Sequence, residues 1–72
     1  MEQINKLEDL DRALRVYDVI DIVNEDGSPF LRIVGGHGWP CQNVRYCKNG
    51  SGRVRAAPPA QLFDKIIGKY LP

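Results

Sequence analysis

The chain has 72 residues, 43% of them hydrophobic, and a formal net charge of +1. That length allows one domain with a small core and excludes a second, and the apolar fraction excludes a disordered chain. No apolar run approaches the ~20 residues of a membrane-spanning helix, and Met1-Glu2-Gln3-Ile4-Asn5-Lys6 lacks the basic-then-apolar pattern of a signal peptide. A cytoplasmic protein with no membrane association is therefore expected. Two cysteines, Cys41 and Cys47, fall short of a secreted disulfide framework and read as reduced thiols. A single bridge closing the short loop between them is the alternative.

In chain order, residues 3–14 read as a helix, because Ile4, Leu7, Leu10 and Leu14 recur at spacings of three and four with Ala13 on the flank. Leu7, Leu10, Leu14 and Tyr17 also fit a short a/d seam. The stripe covers the open end of a β-core or, alternatively, makes a homo-oligomer through Leu7, Leu10 and Leu14. Arg15 to Val23 is rich in β-branched and aromatic residues and predicts a strand. Asn24-Glu25-Asp26-Gly27-Ser28-Pro29 is a turn, and Phe30 to Val34 the returning strand. Gly35-Gly36-His37-Gly38-Trp39-Pro40 reads as an irregular loop.

Asn43 to Cys47 and Arg53 to Ala57 predict a hairpin around Lys48-Asn49-Gly50-Ser51-Gly52. A five-residue loop puts Val44, Tyr46, Val54 and Ala56 on one face and Arg45, Arg53 and Arg55 on the other; a tighter turn mixes the faces. Pro58-Pro59 ends the strand. Leu62, Phe63, Ile66, Ile67, Tyr70 and Leu71 repeat in pairs every four residues, a helical stripe, although Gly68 weakens it by about 1 kcal/mol relative to alanine. A short turn followed by a closing strand is the rival.

Ile33-Val34-Gly35 and Val54-Arg55-Ala56-Ala57-Pro58-Pro59-Ala60-Gln61-Leu62 resemble the Ile-Val-Gly and Val-Gln-Ile-Tyr-Pro-x-x-x-Leu of the plasmid-encoded type II dihydrofolate reductases. The similarity spans residues 16–66 and leaves the N-terminal helix unmatched. It implies an SH3-like small antiparallel barrel and a closing strand at the C-terminus. That family's Gln-Ile-Tyr, which lines its pore for cofactor and folate, is Arg55-Ala56-Ala57 here, so the resemblance implies neither reductase activity nor a cofactor. The expected architecture is one domain over residues 1–72, mainly β: an N-terminal helix (1–14) and a small SH3-like barrel (15–72). The alternative is α+β, with a C-terminal helix packed on a three- to four-stranded antiparallel sheet.

Charge is distributed unevenly. Residues 1–26 carry a net −5, residues 27–63 contain no acid and carry +5, and the tail adds +1. The basic stretch suggests an anionic partner; attraction between the two parts, or between two copies, is the bland explanation. Arg45, Lys48, Arg53 and Arg55 form the candidate nucleic-acid-binding set. Opposed arginines repel, a guanidinium fork suits phosphate, and Trp39 and Tyr46 offer surfaces on which bases can stack. Neutralisation by Asp18 or Asp21 is the competing reading.

His37, Trp39 and Tyr46 form the candidate partner-binding set, with the Trp39-Pro40 loop able to dock a peptide. Burial of Trp39 beneath the helix is its structural alternative. His37 as a general acid or base lacks an orienting partner. His37, Cys41 and Cys47 have loose zinc spacing without the tight pairs a structural site uses. No catalytic residue, metal or cofactor is assigned. The function expected is a small non-enzymatic module that binds nucleic acid or another polyanion or acts as a regulatory accessory. Alternatives are a protein-interaction module around Trp39 and a small nuclease-like enzyme centred on His37.

Overall fold

The structure, a computed structural model, describes residues 3–41 and 54–71. It is an α+β fold. Helix α1 (Leu7–Ala13) leads into strands β1 (Val19–Val23), β2 (Pro29–Val34), β3 (His37–Pro40) and β4 (Val54–Ala56). A 3₁₀ turn (Ala60–Leu62) and helix α2 (Phe63–Tyr70) follow. The strands form an open sheet in the order β3-β2-β1-β4, in which β1 pairs antiparallel with β2 and parallel with β4.

This is the helix-on-sheet architecture, with two corrections. The sheet is mixed rather than wholly antiparallel, and β3 and β4 stand at opposite edges, so the described strands do not close into the small barrel expected over residues 15–72. The C-terminal segment is the helix its paired stripe predicts, not a closing strand. Of the expected hairpin, the arm Asn43–Cys47 and the connecting loop lie outside the described residues, and β4 takes β1 as its neighbour.

Helix α1 is shorter than the 3–14 reading because its start is fixed from inside. The Asp9 carboxylate reaches back and accepts the backbone N–H of Asn5 (3.1 Å) and of Lys6 (3.3 Å), as the acidic half of a capping box does. Ile4 stays outside the helix yet is buried in the core. At the other end, the N–H groups of Val16 and Tyr17 both donate to the Ala13 carbonyl (3.0 and 2.9 Å). Those two residues close the helix and remain exposed, so β1 begins at Val19 rather than Arg15.

The largest departure is Gly35–Pro40, which is a hairpin instead of a loop. Val34 pairs with His37 across a two-residue turn, and Gly35 and Gly36 take φ of +56° and +81°. Both central residues at positive φ define the turn whose twist matches a β-hairpin, and glycine reaches it without steric cost. Pro40 ends β3, an edge strand, where a missing N–H is tolerated. One register shift interrupts the β1–β2 pairing between Ile22 and Val23. It falls where β2 starts, and Phe30 there stacks on Phe63 of α2, with centroids 4.7 Å apart.

The core lies between the helices and one face of the sheet. Ile20, Ile22, Leu31, Ile33 and Ala56 supply the sheet side, and Leu10, Ala13, Leu62, Ile66 and Tyr70 the helical side. Leu10 is fully buried, and Leu7 and Leu14 pack against the same cluster. The leucine seam of α1 is thus turned to the domain's own core. The helices are tied together by Asp11, which accepts Lys69 Nζ at 2.6 Å and the Tyr70 hydroxyl.

The Lys69 ammonium and then the Tyr70 hydroxyl hold the Asp11 carboxyl below its ordinary value of 3.8. Burial, followed by the hydrogen bond and charge of Asp11, pushes the Tyr70 hydroxyl above its ordinary value of 10.0. A depressed carboxyl stabilises fully above its unfolded pKa, and the gain is lost as pH falls through the folded one; for the raised tyrosine, stability is lost as pH rises above its ordinary value. The Lys69 and Asp11 side chains keep 46% and 32% of their exposure, so solvent screening holds the net effect to about 1 kcal/mol or less. Asp11→Asn is expected to lower the urea midpoint slightly at neutral pH. The gap to the parent protein should close below pH 3.8; a gap that persists in acid would show that the carboxylate's charge contributes nothing.

Candidate functional site

Both helices cover one face of the sheet, and the residues that alternate away from the core define the other. Register decides which side chains meet there, because a pleated strand sends successive residues to opposite faces. Trp39 pairs with Arg32, Arg32 with Asp21, and Asp21 with Arg55. These four residues make one row across all four strands. The adjoining row runs His37, Val34, Val19. Inward neighbours confirm the sense of the face: Ile20, Ile22, Ile33, Leu31 and Ala56 are all buried.

The electrostatics of the row centre on Asp21, which is only 4% exposed. Arg32 clasps it with two hydrogen bonds, Nε to Oδ1 at 2.7 Å and Nη2 to Oδ2 at 3.1 Å. A bidentate fork of this kind is the stronger form of arginine–carboxylate contact. Arg55 stands on the opposite side of Asp21, is exposed, and makes no ion pair among the described residues. Asp18, the other acid considered for neutralising the arginines, is exposed and lines a groove with Arg15 between α1 and the β2–β3 turn, where its carbonyl accepts Gly35 N–H at 3.5 Å.

At the β3 edge the face turns aromatic and apolar. Trp39 is 43% exposed, so it does not fill the core beneath the helix, and Val34 is 40% exposed. His37 meets Trp39 edge to face, with ring centroids 4.7 Å apart. The grooves of about 490 Å³ beside α1 and about 430 Å³ beside Phe63 do not include His37 in their walls, and its imidazole packs against this tryptophan.

Of the predicted site residues, the structure brings His37, Trp39 and Arg55 to the same face. Arg45, Tyr46, Lys48 and Arg53 lie outside the described residues. Arg32 is the residue sequence reasoning missed. Its signal was available, since Leu31-Arg32-Ile33 alternates and sends arginine outward between two core residues. Cys41, read as a thiol, is disulfide-bonded, and among the described residues no cysteine is free. No group of three or more His, Cys, Asp or Glu side chains that could hold a metal ion occurs among the described residues. None of their helices is long and apolar enough to cross a membrane.

Fold and face together define a small α+β domain with two helices on one side of a mixed four-stranded sheet and the other side bearing an aromatic and arginine row. Comparison with known proteins assigns no family: no family model matches, and no curated protein or solved structure gives a significant match.

Proposed function

We propose that the chain is a non-enzymatic binding module whose outer sheet face takes a polyanion, foremost nucleic acid. The observation that carries this reading is the row Arg32–Asp21–Arg55. Its one acid is already held by Arg32, so Arg55 faces solvent with its charge uncancelled by any ion pair among the described residues. In sequence, Arg53 two positions away and the nearby Lys48 and Arg45 extend the same acid-free stretch. Guanidinium groups on a solvent-facing sheet suit phosphate because the planar fork donates in pairs. Binding through phosphate releases counterions and so weakens as salt rises, with a logarithmic slope of about −0.7 per contact on single strands and −0.9 on duplex.

The test is fluorescence anisotropy with labelled single- and double-stranded DNA over a salt series, comparing the parent chain with Arg55→Ala and Arg55→Glu. The parent should bind most tightly at low salt. Arg55→Ala should flatten the slope by about one contact's worth, and Arg55→Glu should weaken binding further, with unchanged circular dichroism. Salt-independent binding, or an Arg55→Glu chain that binds as well as the parent, overturns the proposal.

A second reading has its own support: Val34 and Trp39 expose apolar surface side by side, which suits a protein partner docking on the β3 edge. In that case Trp39→Ala abolishes capture of the partner, while Arg55→Glu and salt have little effect.

A further inference from the structure

We infer that the groove between the end of α1 and the β2–β3 turn is a second binding site, which takes a free α-amino acid with an apolar side chain: Arg15 meets its carboxylate and Asp18 its ammonium. The site is separate from the outer-face row, and the inference does not depend on the polyanion reading.

The groove has a volume of about 490 Å³, within the range of pockets that hold small molecules. Its walls come from segments that the fold brings together. On one side Leu14 caps α1 and Arg15 follows it. On the other side the Gly35–Gly36 turn offers bare backbone, because nothing lies within 4 Å of the place a Cβ would take on either glycine. The Gly35 N–H donates to the Asp18 carbonyl at 3.5 Å, which fastens that turn to the segment carrying Asp18. Tyr70, buried at 4% exposure, and half-buried Leu14 give the groove its apolar lining.

The charges decide the ligand. Besides Tyr70, the ionisable groups of the groove are Asp11, Arg15 and Asp18. Asp11 is already committed, since it accepts Lys69 Nζ at 2.6 Å and the Tyr70 hydroxyl. Arg15 and Asp18 are exposed and, among the described residues, form no ion pair with each other or with another group. One uncommitted cation and one uncommitted anion therefore share the groove. A simple anion gains at Arg15 and is repelled by Asp18, and a simple amine meets the reverse, so a ligand of single sign is disfavoured at one of the two. A zwitterion satisfies both. The planar guanidinium fork matches a carboxylate, and an ammonium donates to a carboxylate in a charge-assisted hydrogen bond. The apolar lining then selects an apolar side chain over a polar one, whose groups would lose water without gaining partners.

The test follows the backbone amides of the full chain by two-dimensional proton–nitrogen NMR. The ligands are L-leucine, leucinamide, which lacks the carboxylate, and N-acetyl-leucine, which lacks the ammonium. Leucine should shift the resonances of Arg15, Gly35 and Gly36. Each blocked form should bind about tenfold or more weakly, as expected for one lost charged hydrogen bond. Arg15→Gln should weaken leucine by the same factor and leave leucinamide as it was, and Asp18→Asn should weaken leucine and leave N-acetyl-leucine as it was. Arg55→Glu should leave leucine binding unchanged, which separates this site from the polyanion face. Unshifted amides in the rest of the chain report that each variant keeps its fold. The inference is overturned by an absence of shifts up to tens of millimolar leucine, or by equal binding of the three ligands, which leaves only an apolar groove. Shifts of the same amides that grow with protein concentration in the absence of ligand place a second copy in the groove and overturn it as well.

Discussion

Gly38→Ala is expected to destabilise the domain by about 2–3 kcal/mol, whereas Gly68→Ala is expected to stabilise it by about 0.5–1 kcal/mol. The two substitutions add the same methyl group, and only its surroundings differ. A Cβ on Gly38 would come within 2.8 Å of the Tyr70 carbonyl oxygen and 3.2 Å of Leu31 Cδ1. The first neighbour is backbone at the end of α2, so it cannot swing aside as the tip of a flexible side chain can. Either β3 or the last turn of α2 has to move, in a core packed without slack. Gly68 lies within α2, with nothing within 4 Å of the position its Cβ would take. Alanine there removes unfolded-state freedom and improves helix propensity without a clash. For a domain of this size, total stability is on the order of 4–11 kcal/mol, so the loss at Gly38 is a large fraction of the whole. Urea midpoints of the two variants measure both effects. If Gly38→Ala proves as stable as Gly68→Ala, β3 does not lie against the end of α2, and the placement of Trp39 on the next residue is lost with it.

Glycine is also where the sequence was hardest to read. Three glycines and a proline within Gly35–Pro40 look like a break in regular structure, yet each serves the hairpin. Gly35 and Gly36 form a tight turn at positive φ, Gly38 admits the end of α2, and Pro40 sits on an edge strand. Composition alone does not separate a glycine that ends a strand from one that lets another backbone approach it. Where local pattern and local chemistry agree, the reading was direct. The β-branched run ending at Val23, the turn at Asn24–Ser28 and the return through Phe30–Val34 form β1 and β2 much as expected, with Asn24 Nδ2 and Ser28 Oγ closing the turn at 2.9 Å. The paired stripe from Leu62 to Tyr70 was helical on its own evidence, and the resemblance that favoured a strand was the weaker guide.

Sheet order was not legible. Alternation states which face a residue takes, so Val54 and Ala56 were correctly set inward and Arg55 outward. It does not name the neighbouring strand, and a parallel β1–β4 pair depends on a long crossover rather than on a local turn. The outer row was illegible for the same reason: Trp39, Arg32, Asp21 and Arg55 stand 7, 11 and 34 positions apart along the chain, and only register brings them together.

Arg32→Ala is expected to cost about 3 kcal/mol or more, and Asp21→Ala clearly less, about 1–2 kcal/mol. The pair is bonded symmetrically, but its members are not equally able to survive alone. The Asp21 side chain is 6% exposed and sits in the strand that the sheet encloses on both sides. Without Arg32 its carboxylate keeps a short stem, few ways to reach water, and two lost hydrogen bonds. Arg32 has 13% exposure and a long apolar stem, so when Asp21 is removed the guanidinium can swing out to solvent. The double variant should cost less than the two single losses together, because residues in contact couple. Binding separates the pair along a second axis. Asp21→Ala removes the row's one acid and frees a guanidinium, so it should tighten polyanion binding even as it weakens the fold; Arg32→Ala should weaken both. Stability and affinity that fall together in Asp21→Ala would mean that Asp21 builds the binding surface instead of offsetting its charge.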